Sequence, residues 1–454
     1  MKNLCFGILL LMVAMPLAAQ TKYVVNDLGG MGGDQSSAQA INNTGHVAGF
    51  GNLIVGGPNH AFRTAANSPI NPATDDLGLL GGISSSASAI NNLGQVAANE
   101  LSSTFRPHAV LVAADGTFQN LGDMGGAFPT STANGINDLG QVTGAAGPPS
   151  GVCGVTHAFL TQANSALTAG SDLGALRLCG NSDGLAVNNQ GQVVGWAQVV
   201  ASGFIAQDAM FWSSSTGMVD LGVLGQTLSF GPFFGHRATA VSINNVGQIV
   251  GTSSFNNMPQ LSFTHAFLTT AAGPLQDIGT LGGNGASANW INNLSQIVGN
   301  ATLAGDTALH GFIYANGGMN DRNGLIVTPG WEIVNAGNIN DQGQILACGR
   351  LTATDPPFGC THSLRLDPPG PAVSALLNQL SNPALGLTGG QVASLTDKLN
   401  NALLSIQQGL NKQATNQLNA FVNSVAVLDK NGKISDATAE TLTNAANAII
   451  ATLS

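Results

Sequence analysis

Apolar and polar positions alternate in short bursts along most of the chain, and one such burst returns seven times. Each occurrence is a variation on Ala-x-Ala-Ile-Asn-Asn-x-Gly-Gln-Val-Val-Gly. Before it come Asp-Leu-Gly and a Gly/Ser-rich loop; after it come a variable loop and His-Ala-Phe. The Ile-Asn-Asn slot begins at Ile41, Ile90, Ile136, Val187, Ile243, Ile291 and Ile339, with spacings of 46 to 56 residues. A recurring period of this size marks a repeat architecture in which each unit is one supersecondary element.

The alternation within a unit has the period of strands. Ala38 and Ala40 on one side and Val47 and Gly49 on the other flank Asn42-Asn43-Thr44-Gly45. Asn and Gly tolerate the left-handed backbone of a hairpin turn, so the segment predicts two antiparallel strands. A third strand is expected at His-Ala-Phe, as in His157 to Leu160, and a fourth before the next Asp-Leu-Gly, as in Met218 to Leu221. Four short strands in this length make one propeller blade. An open parallel β-helix would have shorter, more uniform coils and no hairpin.

The two ends of the array complement each other. Lys22 to Val25 form a strand with no unit before it, while the last unit stops after its third strand at His362 to Leu366 and breaks at Pro368-Pro369. Residues 22 to 28 should therefore complete the last blade and remove two exposed sheet edges. The expected fold is all-β, a seven-bladed propeller closed by its N-terminal strand, followed by a small all-α domain.

That second domain is announced by a change of period. After Pro368-Pro369-Gly370-Pro371, Val392, Leu395, Leu399, Leu403 and Ile406 fall at helical spacing behind a Thr388/Gln391 capping box. A second helix should carry Leu418, Phe421, Val422 and Val425. A third, capped by Ser435, should carry Leu442, Ala445, Ile449 and Leu453, and the run Val373 to Leu380 can add a fourth. The expected boundaries are 1–19 for a signal peptide, 20–367 for the propeller, 368–386 for a Pro-rich linker with a short helix, and 387–454 for the helical domain.

The signal peptide is read from Lys2, the apolar run Leu4 to Met15 and the small residues Ala18-Ala19. Its apolar run is too short to span a bilayer, which takes about 20 residues, and no later stretch is long enough. Secretion to the cell exterior or surface is expected, with no membrane span in the mature chain. Without Cys5, an even number of cysteines remains: Cys153, Cys179, Cys348 and Cys360. In an oxidising compartment they predict two disulfides. Three pairings are open, and sequence proximity favours Cys153 with Cys179 and Cys348 with Cys360.

Composition narrows the partners. Charged residues are only 8% of the chain, the net charge is −10, and no Lys lies between Lys22 and Lys398. The seven Arg form no basic stripe of the kind a phosphate backbone requires, which excludes nucleic acid.

The combination of Asp-Leu-Gly, Ile-Asn-Asn-x-Gly-Gln-Val and His-Ala-Phe resembles the HAF repeat of bacterial extracellular proteins over residues 22 to 366. The fourth unit departs from it, with Asp208 in the His slot. So does the seventh, with Asp321-Arg322 in place of Asp-Leu. The resemblance implies secretion and no particular reaction. Leu387 to Leu453 is similar to the FIMAH domain, on the phrase Leu418 to Val422 and on Gly432-Lys433. That resemblance implies an accessory or assembly role on secreted bacterial proteins.

Candidate chemistry is sparse. His60, His108, His157, His265, His310 and His362 share one repeat slot, so each is expected to bond within its own blade, since a catalytic histidine acts once among unique neighbours. Asp27, Asp76, Asp172, Asp220 and Asp277 of Asp-Leu-Gly are read as turn formers. Only Glu100, Glu332 and Glu440 represent glutamate, which weakens a glycosidase reading without excluding it. Asp429 to Ile434 resembles the middle of an EF-hand loop, but Val427 and Thr438 stand where its first and last ligands belong, so a helix connection turning at Gly432 is expected. Trp196, Trp212, Trp290 and Trp331 would offer a sugar platform if they gathered at one end of the channel.

The sequence thus predicts no catalytic residue, no cofactor and no metal site. It predicts a secreted binding or scaffold module for an extracellular polymer, such as a polysaccharide, or for a protein. The alternative is a hydrolase or lyase at the propeller axis, which would gather unique residues such as Asp183, Arg237 and Arg322.

Overall fold

The computed structural model describes residues 21–126, 129–149, 153–201, 204–224, 237–258, 261–356 and 359–454. The signal segment at 1–19 lies outside the described residues. From Tyr23 to Asp367 the chain forms seven separate antiparallel sheets, one per repeat. The first strands, Ser36–Ile41, Ser84–Ile90, Ser131–Ile136, Ser182–Val187, Ala238–Ile243, Gly282–Ile291 and Trp331–Ile339, contact one another in succession and form the inner wall. Ser36–Ile41 also contacts Trp331–Ile339, so the wall closes.

Closure follows the expected pairing. Val24–Asp27 is the outermost strand of the seventh blade, antiparallel to His362–Asp367, with Val24 opposite Asp367 and Asp27 opposite Leu364. Tyr23 is 2% exposed and lies under the guanidinium of Arg322, 4.1 Å from the ring centroid. A buried polar network locks the seam. Arg365 donates from Nε and Nη2 to the two oxygens of Asp367 at 2.8 Å, and from Nη2 to the Asn67 carbonyl of the first blade at 3.2 Å. Asn26 donates to Asp367 Oδ2 at 3.0 Å, and Gln344 to Asp367 Oδ1 at 2.9 Å.

Two features depart from four uniform strands per unit. In the first and third blades the fourth strand shrinks to a single bridge, Phe62 with Asp76 and Phe159 with Asp172. The preceding segments instead coil into a helical turn, Pro72–Asp75, whose ring at Pro72 fixes φ, and a 3-10 turn, Ala169–Ser171. Every pairing of first and second strands also carries a β-bulge two residues before the Ile slot, as at Gln39 between Ala38 and Ala40. The bulge deepens the local twist at the inner wall.

Local chemistry explains the recurring letters. The Phe of His-Ala-Phe is fully buried at Phe62, Phe159, Phe267 and Phe312. At Gly49, Gly251 and Gly299 a Cβ would run into a backbone oxygen of the first strand and the ring of Phe62, Phe267 or Phe312. Glycine in that slot is therefore a packing requirement. At the hairpin, Gly45, Gly94, Gly140, Gly191, Gly247 and Gly343 have φ between 70° and 84°, and Ser295 takes the same left-handed conformation in the sixth blade.

Helices Pro369–Leu380, Gly389–Gln407, Asn411–Lys430 and Asp436–Thr452 form the C-terminal domain. The Thr388/Gln391 capping box is present, and Ser435 accepts from Thr438 N–H at 3.1 Å. Val373, Leu376 and Leu380 of the first helix share one core with Leu395, Leu399, Leu418, Phe421, Leu442 and Ile449, so this helix belongs to the domain. Val24 of the closure strand packs against the same core, and Asn378 donates to the Ala66 carbonyl at 2.8 Å. The helical domain thus sits directly on the closure seam.

Candidate functional site

The seven Ile-Asn-Asn hairpins converge on the axis, where they line a cavity of only about 120 Å³. The first Asn of each pair folds its own turn, its Oδ1 accepting backbone N–H groups two and four residues on. Asn91, for example, holds Leu93 and Gln95 at 3.1 and 2.9 Å. Its Nδ2 is left to face the next blade. Asn42 donates to the carbonyl of Asn91, Asn91 to Asn137, Asn137 to Asn188, Asn188 to Asn244, Asn244 to Asn292, Asn292 to Asn340, and Asn340 back to Asn42, all at 2.8–3.1 Å.

The second residue of each pair forms a parallel ring at 2.8–2.9 Å. Here the backbone N–H of Asn43 donates to Asn92 Oδ1, and the pattern passes through Asp138, Asn189, Asn245, Asn293 and Asp341 back to Asn43. Every member of the first ring is buried, and buried amides are costly unless paired. The axial polar groups are thus engaged in holding the blades together.

Five of the six repeat-slot histidines bond within their own blades, as expected, and their partner is the repeated Asp. Nδ1 of His60, His157, His265, His310 and His362 meets the carboxylate of Asp76, Asp172, Asp277, Asp321 and Asp27 at 2.7–2.9 Å. The other oxygen or the same one accepts the backbone N–H two residues on, as Asp76 does from Gly78 at 2.7 Å, so the turn-forming role is also met. Burial works to raise the pKa of Asp172, but hydrogen bonds from His157 and from the Gly174 N–H outweigh it and leave the group below its ordinary value. The two slots do not vary together, since His108 is kept where Asn120 fills the Asp slot and Asp220 is kept where Asp208 fills the His slot, so the pairing was not open to the sequence. A second stitch escaped it. Ser85, Ser131 and Ser182 each accept from an N–H of the preceding blade, at Ala61, Ala109 and Ala158, at 2.7–3.0 Å.

Asp183, Arg237 and Arg322, expected to gather if the axis were a reaction centre, lie apart. Asp183 accepts from Asn134 of the third blade at 2.8 Å, and burial pushes its pKa up to about 6 against that bond. Arg237 donates to Gln207 at 3.3 Å between the fourth and fifth blades. Arg322 is buried beneath Tyr23 at the closure blade, where desolvation lowers its pKa. The four Trp do not cluster either: Trp290 borders the axial cavity, Trp196 a groove between blades, Trp212 packs with Met210 and Val193, and Trp331 meets His362 edge-on at 5.0 Å.

Both favoured disulfides form. Cys153, in the third blade's connection between Val142–Ala146 and His157–Leu160, pairs with Cys179 in the connection to the fourth blade, with Cα atoms 5.6 Å apart. Cys348 pairs with Cys360 in the seventh blade at 5.4 Å. Asp429 to Ile434 is a helix connection with Gly432 at φ 62°. Among the described residues no group of three or more His, Cys, Asp or Glu lies at metal-holding distance, and no helix is long and apolar enough to cross a membrane.

The four-helix core over the seam decides the C-terminal assignment. Residues 372–451 match the FIMAH domain. The FIMAH domain therefore begins inside the helix Pro369–Leu380, ahead of the boundary at 387 drawn from the helical stripe alone. No curated protein matches the chain in sequence. Solved structures similar to it include the β-propeller domain of the Trilobed protease from Pyrococcus furiosus, at 10% identity and a TM-score of 0.45 over 73% of this chain and 93% of that one. TolB from Acinetobacter baumannii is similar at 9% identity and a TM-score of 0.35, over 71% and 63%. The BP39L lectin from Burkholderia pseudomallei is similar at 12% identity and a TM-score of 0.35, over 74% and 97%.

Proposed function

We propose that this protein is a secreted, non-catalytic binding or scaffold module that presents a rigid propeller rim to an extracellular polysaccharide or protein, with the FIMAH domain fixed over the ring's closure. The observation that carries this reading is the use of the axial polar groups: both Asn rings spend them on neighbouring blades and leave a cavity of about 120 Å³. Ligand sites of drug size run from about 300 Å³ upward, so recognition falls to the rim and its unequal loops. Two disulfides support an oxidising compartment, and the N-terminal signal pattern and the HAF-like repeats support export.

The test is a glycan and extracellular-protein array probed with the full mature chain, alongside N-terminal sequencing of the exported product. Capture of defined polymers and cleavage after Ala19 are expected. A blank array, or turnover of any captured polymer, overturns the reading.

A further inference from the structure

We infer that the seam between the fourth and fifth blades is a binding site for a neutral saccharide. The inference rests on the binding-module reading above and gives it a place and a ligand class. A groove of about 740 Å³ opens there, bordered by Trp196, Gln198, Ile205, Gln207, Arg237 and Thr239. One position of the repeat varies from unit to unit, with Phe50, Ala145, Thr252 and Cys348 in the first, third, fifth and seventh. Nine residues after the Ile slot, the second and sixth blades carry Asn99 and Asn300, whose amides reach the next blade. Asn99 donates to the Ala133 carbonyl at 2.9 Å and accepts its N–H at 2.7 Å, and Asn300 donates to Asn335 at 3.0 Å. The fourth blade carries Trp196 in the same slot. An indole has one donor and no acceptor, so it cannot make the paired bond and instead offers an aromatic surface to the gap.

The groove is amphipathic in the way a sugar ring is. Trp196 is half-buried, and Ile205, further out on the same face of the blade, is 59% exposed. Between them on that face lies the cross-strand pair Gln198 and Gln207, already oriented: Gln207 donates to Thr239 Oγ1 of the fifth blade at 2.8 Å and accepts from Arg237 Nε at 3.3 Å, and Gln198 accepts the Asn181 N–H at 3.0 Å. A pyranose with C–H groups on its face stacks on an indole while its edge hydroxyls pair with planar amide and guanidinium groups, and clamped partners lose little freedom on binding. Charge argues for a neutral ligand. Among the described lining residues Arg237 is the one Arg or Lys, with Arg177 behind Gln198 at 3.4 Å, and the chain carries a net charge of −10, which repels polyanions.

The experiment titrates the full mature protein with cellotetraose, xylotetraose, chitotetraose and, as the opposing arm, tetragalacturonate, followed by calorimetry and by tryptophan fluorescence. At least one neutral tetrasaccharide should bind with a change in fluorescence. Trp196→Ala should weaken it about tenfold or more, Trp196→Phe should retain most of the affinity, and Arg237→Gln, an exposed position that leaves the indole intact, should weaken it several-fold. Circular dichroism and melting confirm that each variant is folded. Binding of tetragalacturonate alone, binding indifferent to both Trp196→Ala and Arg237→Gln, or no binding by any neutral probe overturns the inference. If the array still captures a polymer or protein in those cases, the general binding reading stands and only this site falls.

Discussion

Asn340 donates from its side-chain amide to the main-chain carbonyl of Asn42 at 2.8 Å, although 298 positions separate the two residues. It is the same bond that each earlier unit makes with its successor, drawn across the chain ends. Asp341 N–H repeats the relationship one residue on, bonding Asn43 Oδ1 at 2.8 Å.

Asn340→Ala is expected to be among the most damaging single substitutions in the ring. The residue is 4% exposed, donates also to Gln344, and accepts from the N–H groups of Gln342 and Gln344. Leaving such buried groups unpaired costs about 1 to 3 kcal/mol each, in part relaxed by neighbours, so a total loss of about 2 to 4 kcal/mol is expected in denaturant unfolding. A loss below about 0.5 kcal/mol would mean that the axial rings add nothing to closure.

Deleting residues 21–28 should lower the melting temperature more than deleting residues 369–454. The first change removes the closure strand, uncovers the strand His362–Asp367, and strips Asn26 from the Arg365–Asp367 pair. The second removes packing on Val24 and one bond to Ala66 but leaves every blade complete. Equal melting of the full chain and the N-terminal deletion would show that the seventh blade does not depend on its fourth strand.

Asp183 makes stability fall with rising pH. Its carboxyl is raised to about 6 in the fold from its ordinary value of 3.8, so the folded state holds the proton more tightly. The resulting contribution is full below pH about 4 and is lost as pH rises through about 6; two pKa units correspond to about 3 kcal/mol at most. Asp183→Asn keeps an acceptor for Asn134 and removes the titration. Its melting temperature should match the parent near pH 4 and exceed it near pH 7.5, and a constant difference across that range would refute the assignment.

The disulfides should differ in worth by loop length. Cys153–Cys179 spans 26 positions and Cys348–Cys360 spans 12. A doubling of the closed loop adds about 0.6 kcal/mol of unfolded-state entropy, on a base of about 3 kcal/mol for a loop near 15 residues. Paired Cys→Ser variants compared by denaturant unfolding should show the larger loss at 153 and 179.

Much of the fold was written in local pattern. Hairpins announced themselves because Ile-Asn-Asn-x-Gly-Gln interrupts strict alternation seven times, and closure followed from a surplus strand at Lys22 and a missing one after Leu366. The helical core was legible in its stripe, and the helix expected over Val373 to Leu380 is present but starts earlier, at Pro369; proline at a helix start fits its fixed φ and lacks only an N–H that would go unpaired there. What stayed hidden was every bond between units. The Oδ1 of Asn91 could be assigned to its turn, but the target of its Nδ2 is the Asn137 carbonyl, a neighbour only once the ring exists. His60 and Asp76 were each read correctly as structural, yet their pairing needs the two outer strands side by side. The groove at Trp196 was illegible for the same reason, since its far wall, Arg237 and Thr239, belongs to the next blade.

The placement of the helical domain also sets a load path. Lys22 Nζ lies 3.5 Å from Ser454 Oγ, so the two ends of the described chain leave the molecule at one point, and the strand Val24–Asp27 is held between His362–Asp367 and the FIMAH core. If the FIMAH domain were gripped by one body and the rim by another, tension between them would enter the disc through the backbone at Pro368 and the strand His362–Asp367, whose outer partner is Val24–Asp27. The force at which such a tether failed would then be the force that opens one seam, however firmly the other six hold.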